Sequence, residues 1–291
     1  MIVYNKLLLV EGYNRFYEEK LGIEFGLDLD EIQGSVKGMA PIVYSTILSK
    51  KISPRPRLIE YGKDFIVPKE HEPNWNLIRE KIHRGEDLSP YLSKDHIIWQ
   101  KVDFLLSCSN IFHMHLTSRR GVGTNKELVF GVFTDEKFYA INFGDHHTIY
   151  QIKELYMKAE ASWPGQLFRK AEVESNESYF DKRMVNDPEH HMNILQPAGT
   201  MAGHQRSHLI TLLDGDAEIR NVSLELWIAF DNEVRHLVEL ENKLSNKHGY
   251  LADQRLKIDF ARRRYIVTSG SKRYLFDFPK NITISKIVAQ F

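Results

Sequence analysis

The strand pattern of this chain is clearest in residues 110–147, which read NIFHMHLTSRRGVGTNKELVFGVFTDEKFYAINFGDHH. Polar and apolar residues alternate in IFHMHLT and in KFYAINF, whereas ELVFGVF between them is almost continuously apolar. Alternation is typical of a strand with one buried face, and a short apolar run bounded by turn residues is typical of a buried strand. Because TDEK separates the last two segments as a turn, the stretch predicts three consecutive antiparallel strands.

Helical patterns flank these strands. TIYQIKELYMKAEASW (148–163) has apolar residues at helical spacing and ends before Pro164, so we expect one helix to pack across the small sheet. Before the strands, Ser93 or Asp95 is a candidate N-cap for a helix that runs to about Ser107. Together these elements predict a central antiparallel-sheet unit over residues 96–171.

The rest of the chain predicts two further regions in an α+β protein. Residues 1–95 are mainly helical, with candidate helices at Tyr13–Leu21 and Trp75–His83 and an extended proline-rich connector between them. A polar linker over 172–187 precedes an α+β region over 188–291. Within that region we predict, in chain order, a strand in SLELWIAF (223–230), a helix from the cap Asp231 to the stop Gly249, and a hairpin over 256–278.

Composition limits the classes of function. The 39 basic and 39 acidic side chains cancel, which excludes a chain that coats nucleic acid through bulk charge. A single cysteine, Cys108, excludes an internal disulfide and is typical of a reducing compartment. The first twenty residues have neither an apolar run long enough to cross a membrane nor a cleavable leader pattern. We therefore expect a cytoplasmic protein without a membrane partner.

Four histidines are the candidate catalytic residues. On a strand, residues two apart point the same way, so His113 and His115 share one face, opposite Phe112 and Met114. We expect the apolar face to be buried and the imidazoles to lie on an open face, where they could act as general acid and base. In the predicted strand order, the end of the third strand lies at the same end of the sheet as the end of the first. His146 or His147 can therefore converge with His113 and His115 in a proton-transfer set.

Basic residues follow the first two histidines. Arg119, Arg120 and Lys126 lie between the first and second predicted strands. The planar fork of arginine suits a phosphate, so we predict that these three residues bind the substrate. Imidazoles that transfer protons beside cations that hold a phosphate are what metal-free cleavage of a phosphodiester needs.

Other interpretations of the same residues stay open. The histidines could be ordinary polar positions of a half-solvated sheet, or metal ligands, since H-x-H on a strand can hold zinc. We expect no metal and no cofactor, because Arg119 and Arg120 would raise the electrostatic cost of binding a cation. The tripeptides that begin at His115 and His146 also match the paired H-x-T signature of two-histidine phosphoesterases.

Several of these segments together resemble an uncharacterised family of bacterial proteins associated with genomic islands. The shared features are a G-E-x-L-x-P-x-L-S segment, an H-x-H-L strand, two further strands, a histidine near the end of the third strand, and a helix that closes on W-P. Here they correspond to Gly85–Ser93, His113–Leu116, residues 128–143, one of His146 and His147, and Trp163 with Pro164.

The resemblance suggests a setting for the chemistry. The three-stranded core also resembles the sheet of small mRNA-cleaving toxins, a likeness at the level of fold. We therefore predict a metal-independent nuclease, directed at RNA rather than DNA, with a toxin or phage-defence role. The alternative is a protein that binds nucleic acid or a nucleotide without catalysis, in a defence assembly with a protein partner from the same operon. Whether the protein is an enzyme is left open by the sequence.

Overall fold

The computed structural model describes residues 8–27, 38–99, 101, 103–119, 122–123, 126–168, 209–214, 217–248, 254–281 and 283–289. Helices and strands alternate irregularly along these residues, which confirms the α+β class and the helical start of the chain. The elements are, in chain order, α1 (Leu8–Phe25), α2 (Ala40–Ser49), β1 (Leu58–Tyr61), α3 (Glu72–Arg84), α4 (Phe104–Ser109), β2 (Phe112–His115), β3 (Ser118–Arg119), β4 (Val122–Gly123), β5 (Leu128–Phe133), β6 (Lys137–Gly144), α5 (Ile152–Ser162), β7 (Leu209–Asp214), β8 (Ala217–Ser223), α6 (Leu224–His248), β9 (Gln254–Asp259), β10 (Arg264–Ser269), β11 (Lys272–Asp277) and α7 (Ile284–Val288).

The chain divides into two compact units. One unit combines residues 1–49 with 211–291, and the other contains residues 50–210. The division differs from the predicted one because α1 and α2 pack with α6 and β9, far along the chain, whereas the segment after residue 50 joins the central sheet. The regions that the sequence predicts are instead residues 1–95, 96–171 and 188–291. The predicted linker, at residues 172–187, lies outside the described residues.

The sheet of the 50–210 unit has four strands in the order β1-β6-β5-β2. Strands β2, β5 and β6 pair antiparallel, which confirms the three predicted strands. Strand β1 pairs parallel with β6, from Leu58 opposite Lys137 to Tyr61 opposite Ala140. The sheet is therefore mixed, and part of the proline-rich connector is a strand.

Helices cover both faces of this sheet, rather than one face as predicted. On one face, Trp75 and Ile78 of α3 pack in a core with Met114 of β2. On the other face, Leu105 of α4 and Leu155 of α5 pack in a second core, against β5 and β6. Strand β5 contributes to both cores, which explains its continuous apolar run.

The helix predicted from residue 93 or 95 to residue 107 is split in two. Ser93 caps a short 3-10 turn at Lys94–Ile97, and its side chain accepts a hydrogen bond from the Asp95 N–H. The α-helix begins only after Asp103, which is the N-cap of α4. The chain between the turn and α4 therefore supplies backbone carbonyls rather than helical turns.

In the other unit, the segment SLELWIAF is the start of α6 and not a strand. Leu226, Ala229, Glu233 and Leu237 are buried at helical spacing, so the helical face continues through the predicted boundary. Asp231 lies inside this helix and pairs with Arg235 at 2.7 Å. The predicted hairpin over 256–278 is confirmed and extended, because β9, β10 and β11 form a three-stranded antiparallel sheet.

A buried carboxylate joins distant parts of this unit. Glu233 of α6 is fully buried and accepts hydrogen bonds from the hydroxyls of Tyr13 (2.8 Å) and Tyr265 (2.6 Å). The Ser285 N–H donates at 2.9 Å, and the Ser285 hydroxyl donates as well. Burial raises the pKa of Glu233, and these hydrogen bonds oppose that effect.

In the described parts of the chain, no helix has the length and apolar character needed to cross a membrane.

Candidate functional site

Strand β2 places His113 and His115 on the face covered by α4 and α5. In the register of the sheet, His113 lies opposite Phe130 and His115 opposite Leu128, and both partners belong to the core of that face. His115 is only 6% exposed and the side chain of His113 only 10%. The prediction that these histidines lie on an open face is therefore wrong, because α4 and α5 cover that face.

The turn after β6 brings His146 to His115. Residues His115, Leu128 and Gly144 are aligned across β2, β5 and β6, so the turn that follows Gly144 starts beside His115. The ring centroids of His115 and His146 are 5.4 Å apart. The predicted convergence of the first and third strands at this end of the sheet is thus what the structure has.

Hydrogen bonds fix the shape of that turn. The carboxylate of Asp145 accepts from the His147 N–H at 2.8 Å, and the Asp145 carbonyl accepts from the Thr148 N–H at 3.0 Å. A Cβ added to Gly144 would lie 2.4 Å from the Thr148 hydroxyl oxygen, so only glycine allows this close approach. The turn therefore holds the backbone of His146 in one position.

Three imidazoles form a row in the structure. The ring centroids of His113 and His115 are 6.3 Å apart, and His146 extends the row to the surface, where it is exposed. His147 is also exposed, but among the described residues its ring makes no contact with this row. The structure thus distinguishes the two neighbouring histidines that the sequence could not separate.

Asp103 is a further residue of this site, and sequence analysis missed it. Its Oδ1 caps α4 by accepting from the Leu106 N–H at 3.0 Å, and its Oδ2 lies 3.5 Å from Nδ1 of His113. That separation is at the limit for a hydrogen bond, and Nδ1 of His113 is a buried atom that forms none. An acidic residue directly before the apolar run FLLS is a cap signal that could have located it.

A buried lysine adds positive charge to the same part of the unit. Lys50 is 8% exposed, and its ammonium donates hydrogen bonds to the carbonyls of Ile98 (2.7 Å) and Lys101. Burial lowers the pKa of Lys50 to about 8, and the carboxylates of Asp103 and Asp95 act in the opposite direction. Lys50 and Asp103 therefore interact electrostatically, and Asp103 in turn lies beside His113.

The structure describes two of the three predicted phosphate-binding residues. Arg119 is the last residue of β3, and β3 and β4 are two-residue strands that pair antiparallel. Arg120 lies outside the described residues. Lys126 is exposed in the segment that leads into β5.

Within the described residues, no group of three or more histidine, cysteine, aspartate or glutamate side chains is arranged to hold a metal ion. The row of imidazoles beside a carboxylate is instead an arrangement that can accept and donate protons.

Comparisons of the chain with family models, curated proteins and solved structures find no match. The resemblance to the genomic-island family therefore stays a prediction.

Proposed function

We propose that this chain is a metal-independent nuclease that cleaves RNA by histidine acid and base chemistry. The observation that carries the proposal is the row of three imidazoles, which runs from the largely buried His113 through His115 to the exposed His146. Histidine is the side chain that both accepts and donates protons near neutral pH. A pair of imidazoles in contact can therefore serve as base and acid in one reaction.

RNA suits this chemistry better than DNA because its 2′-hydroxyl is an internal nucleophile. One imidazole removes the 2′-hydroxyl proton while the oxygen attacks the adjacent phosphorus. The other imidazole protonates the departing 5′-oxygen, which yields a 2′,3′-cyclic phosphate and a free 5′-hydroxyl. Arg119, Arg120 and Lys126 follow the first two histidines in sequence and are proposed to hold the phosphate.

The test compares two adjacent surface histidines. We expect His146→Ala to reduce RNA cleavage about 100- to 10,000-fold, the contribution of a positioned acid or base. His147→Ala is the matched control, since His147 is equally exposed and lies outside the row, and it should retain cleavage within about threefold. Cleavage of labelled RNA by the wild type, with and without a strong chelator, is the measurement. Equal loss in both variants, or loss with the chelator, would contradict the proposal.

A binding protein without catalysis is the second candidate. The low exposure of His115, 6%, favours it, because little of that ring is open to a substrate. In this case the surface around His146 would recognise a nucleic acid or a nucleotide. Saturable binding that Arg120→Ala abolishes, together with no cleavage of RNA, tRNA or DNA, would select this candidate over the nuclease.

The proposed biological setting rests on the resemblance of Gly85–Ser93 and His113–Leu116 to the genomic-island family. We propose a cytoplasmic toxin or phage-defence protein with a protein partner from the same operon. Co-expression with each neighbouring gene tests this directly. A partner should co-purify at a fixed ratio and change RNA cleavage or binding; failure of every neighbour to do so would remove the setting.

A further inference from the structure

The carboxylate of Asp103 is fixed in space by the helix that it caps. Its Oδ1 accepts the Leu106 N–H at 3.0 Å, which is the hydrogen bond of an N-cap residue. Because Oδ1 is engaged by the backbone, Oδ2 is the oxygen turned to His113, 3.5 Å from Nδ1. The helix thus sets the position of a negative charge beside one particular ring nitrogen.

That ring nitrogen lacks another partner. Nδ1 of His113 is buried and makes no hydrogen bond with any described residue. A buried donor or acceptor is stable only when it is paired, and a shift of a few tenths of an ångström would convert the 3.5 Å separation into a hydrogen bond. Catalytic hydrogen bonds are often this long before substrate binds.

We propose that Asp103 is a positioning residue that holds His113 in the tautomer with its proton on Nδ1. The second nitrogen, Nε2, then carries the lone pair and can accept a proton. A carboxylate has only acceptor oxygens, so it selects the tautomer that donates to it. The role rests on the proposed function, in which His113 belongs to the row that transfers protons.

The surroundings of Asp103 suit an anion. Of the charges that raise the pKa of the buried Lys50 against its burial, Asp103 is the largest. A buried ammonium thus interacts favourably with the same carboxylate that faces His113.

The experiment measures the tautomer directly in protein without RNA. Nitrogen-15 NMR of the histidine rings reports which nitrogen of a neutral imidazole carries the proton. The spectrum of His113→Gln assigns the signals of His113 among the 13 histidines. In the wild type we expect the proton on Nδ1.

The variant Asp103→Asn should reverse this tautomer. The Leu106 N–H needs an acceptor, so the amide oxygen of the asparagine takes the cap position and the amide NH₂ faces Nδ1 of His113. Facing a donor, Nδ1 must become the acceptor, and the proton moves to Nε2. Asp103→Ser is the second variant: serine also caps a helix but is too short to reach His113, so the preference for Nδ1 should disappear without reversal.

Kinetics and thermal unfolding separate positioning from a structural role. Both substitutions keep a good cap residue, so the Tm should stay within a few degrees of the wild type. For RNA cleavage, we expect Asp103→Asn to lower kcat about 100-fold with KM within about twofold, because Asp103 does not contact the substrate. A loss of kcat with unchanged Tm is not what a helix cap alone would give.

The outcomes separate the two proposals. Two results would overturn the positioning role even if RNA is cleaved. One is a wild-type His113 with its proton on Nε2, and the other is an Asp103→Asn protein in which His113 keeps its proton on Nδ1. A tautomer that reverses as described supports the role even if no RNA is cleaved, in which case only the nuclease is rejected.

Discussion

The ammonium of Lys50 is an ionised group that is buried in the protein. It is 8% exposed and donates to two backbone carbonyls, those of Ile98 and Lys101. Burial lowers its pKa to about 8, from 10.5. Since the folded state binds this proton less tightly than the unfolded state, folding is penalised wherever Lys50 is charged in both states.

The pH dependence of stability should show this penalty. Well below pH 8 the lysine is protonated in both states and the cost is fully present. As pH rises from about 8 to 10.5, the folded state releases the proton first, so the wild type should gain on the order of 1 to 3 kcal/mol relative to Lys50→Met, in which the group is absent. Urea unfolding of both proteins from pH 6 to 10.5 measures the difference.

The same pair of proteins contains its own control. Between pH 6 and 7 the difference in unfolding free energy between the wild type and Lys50→Met should be nearly constant, because Lys50 stays mostly charged in that range. A difference that stays flat up to pH 10.5 would show that Lys50 has the pKa of an exposed lysine.

Part of the site could be predicted from single residues, and part could not. Alternation placed His113 and His115 on one face, and the order of the strands brought His146 to them. The burial of His115 depends on α4 and α5 packing over the edge of the sheet, which no local pattern records. Asp103 was missed because its partner, His113, lies ten residues away, with α4 between them.

At the scale of elements, the sequence patterns gave wrong predictions where contacts between segments that are distant in sequence determine the secondary structure. Strand β1 is four residues long and follows prolines, and it is a strand because β6 offers a parallel edge. The first turns of α6 contain residues with strand propensity, but their burial at helical spacing in the other unit outweighs that preference. Strands β5 and β6 were predictable because a three-residue turn connects them, and β2 was predictable because its polar and apolar residues alternate, although β3 and β4 lie between β2 and β5.

A glycine in β5 gives a test of this sheet. A Cβ on Gly131 would lie 2.4 Å from both the Tyr139 carbonyl oxygen and the Phe138 ring, at a bulge between β5 and β6. We expect Gly131→Ala to destabilise the protein by about 1 to 3 kcal/mol, since backbone and a packed ring would have to shift. Chemical denaturation gives the value.

The matched control is the same substitution in α1. A Cβ on Gly22 would meet only the Leu27 carbonyl oxygen, at an ordinary 3.8 Å. Gly22→Ala should stabilise the protein by about 0.5 to 1 kcal/mol, because alanine loses less backbone entropy in a helix. Equal effects of the two substitutions would show that the close approach at Gly131 is absent.

At the scale of the whole chain, one carboxylate links residues from near the start to near the end. Glu233 accepts hydrogen bonds from Tyr13, Tyr265 and Ser285, which lie on or beside α1, β10 and α7. Hydroxyls can rotate to accept from an amide, so Glu233→Gln should cost about 1 to 2 kcal/mol. Glu233→Ala leaves a cavity and an unpaired Ser285 N–H, and it should cost about 3 to 5 kcal/mol.

Thermal or urea unfolding of the two Glu233 variants tests this ranking. Glu241 provides a comparison, since its carboxylate accepts from the N–H groups of Leu8 and Leu9 and so binds the start of α1 alone. Glu241→Gln should cost less than Glu233→Ala. A Glu233→Ala protein as stable as the wild type would mean that the network contributes nothing to folding.

The interleaved order of the two units has a consequence for synthesis on the ribosome. Helices α1 and α2 emerge first, yet their packing partners α6 and β9 are made almost two hundred residues later. The four-stranded sheet of the 50–210 unit and the helices that cover it are complete once α5 has emerged, so this sheet can fold before α6 and β9 are synthesised. During that interval we expect the apolar faces of α1 and α2 that pack against α6 and β9, with Tyr13 and Tyr17, to be exposed to chaperones, and the row of histidines to form before α6 is made.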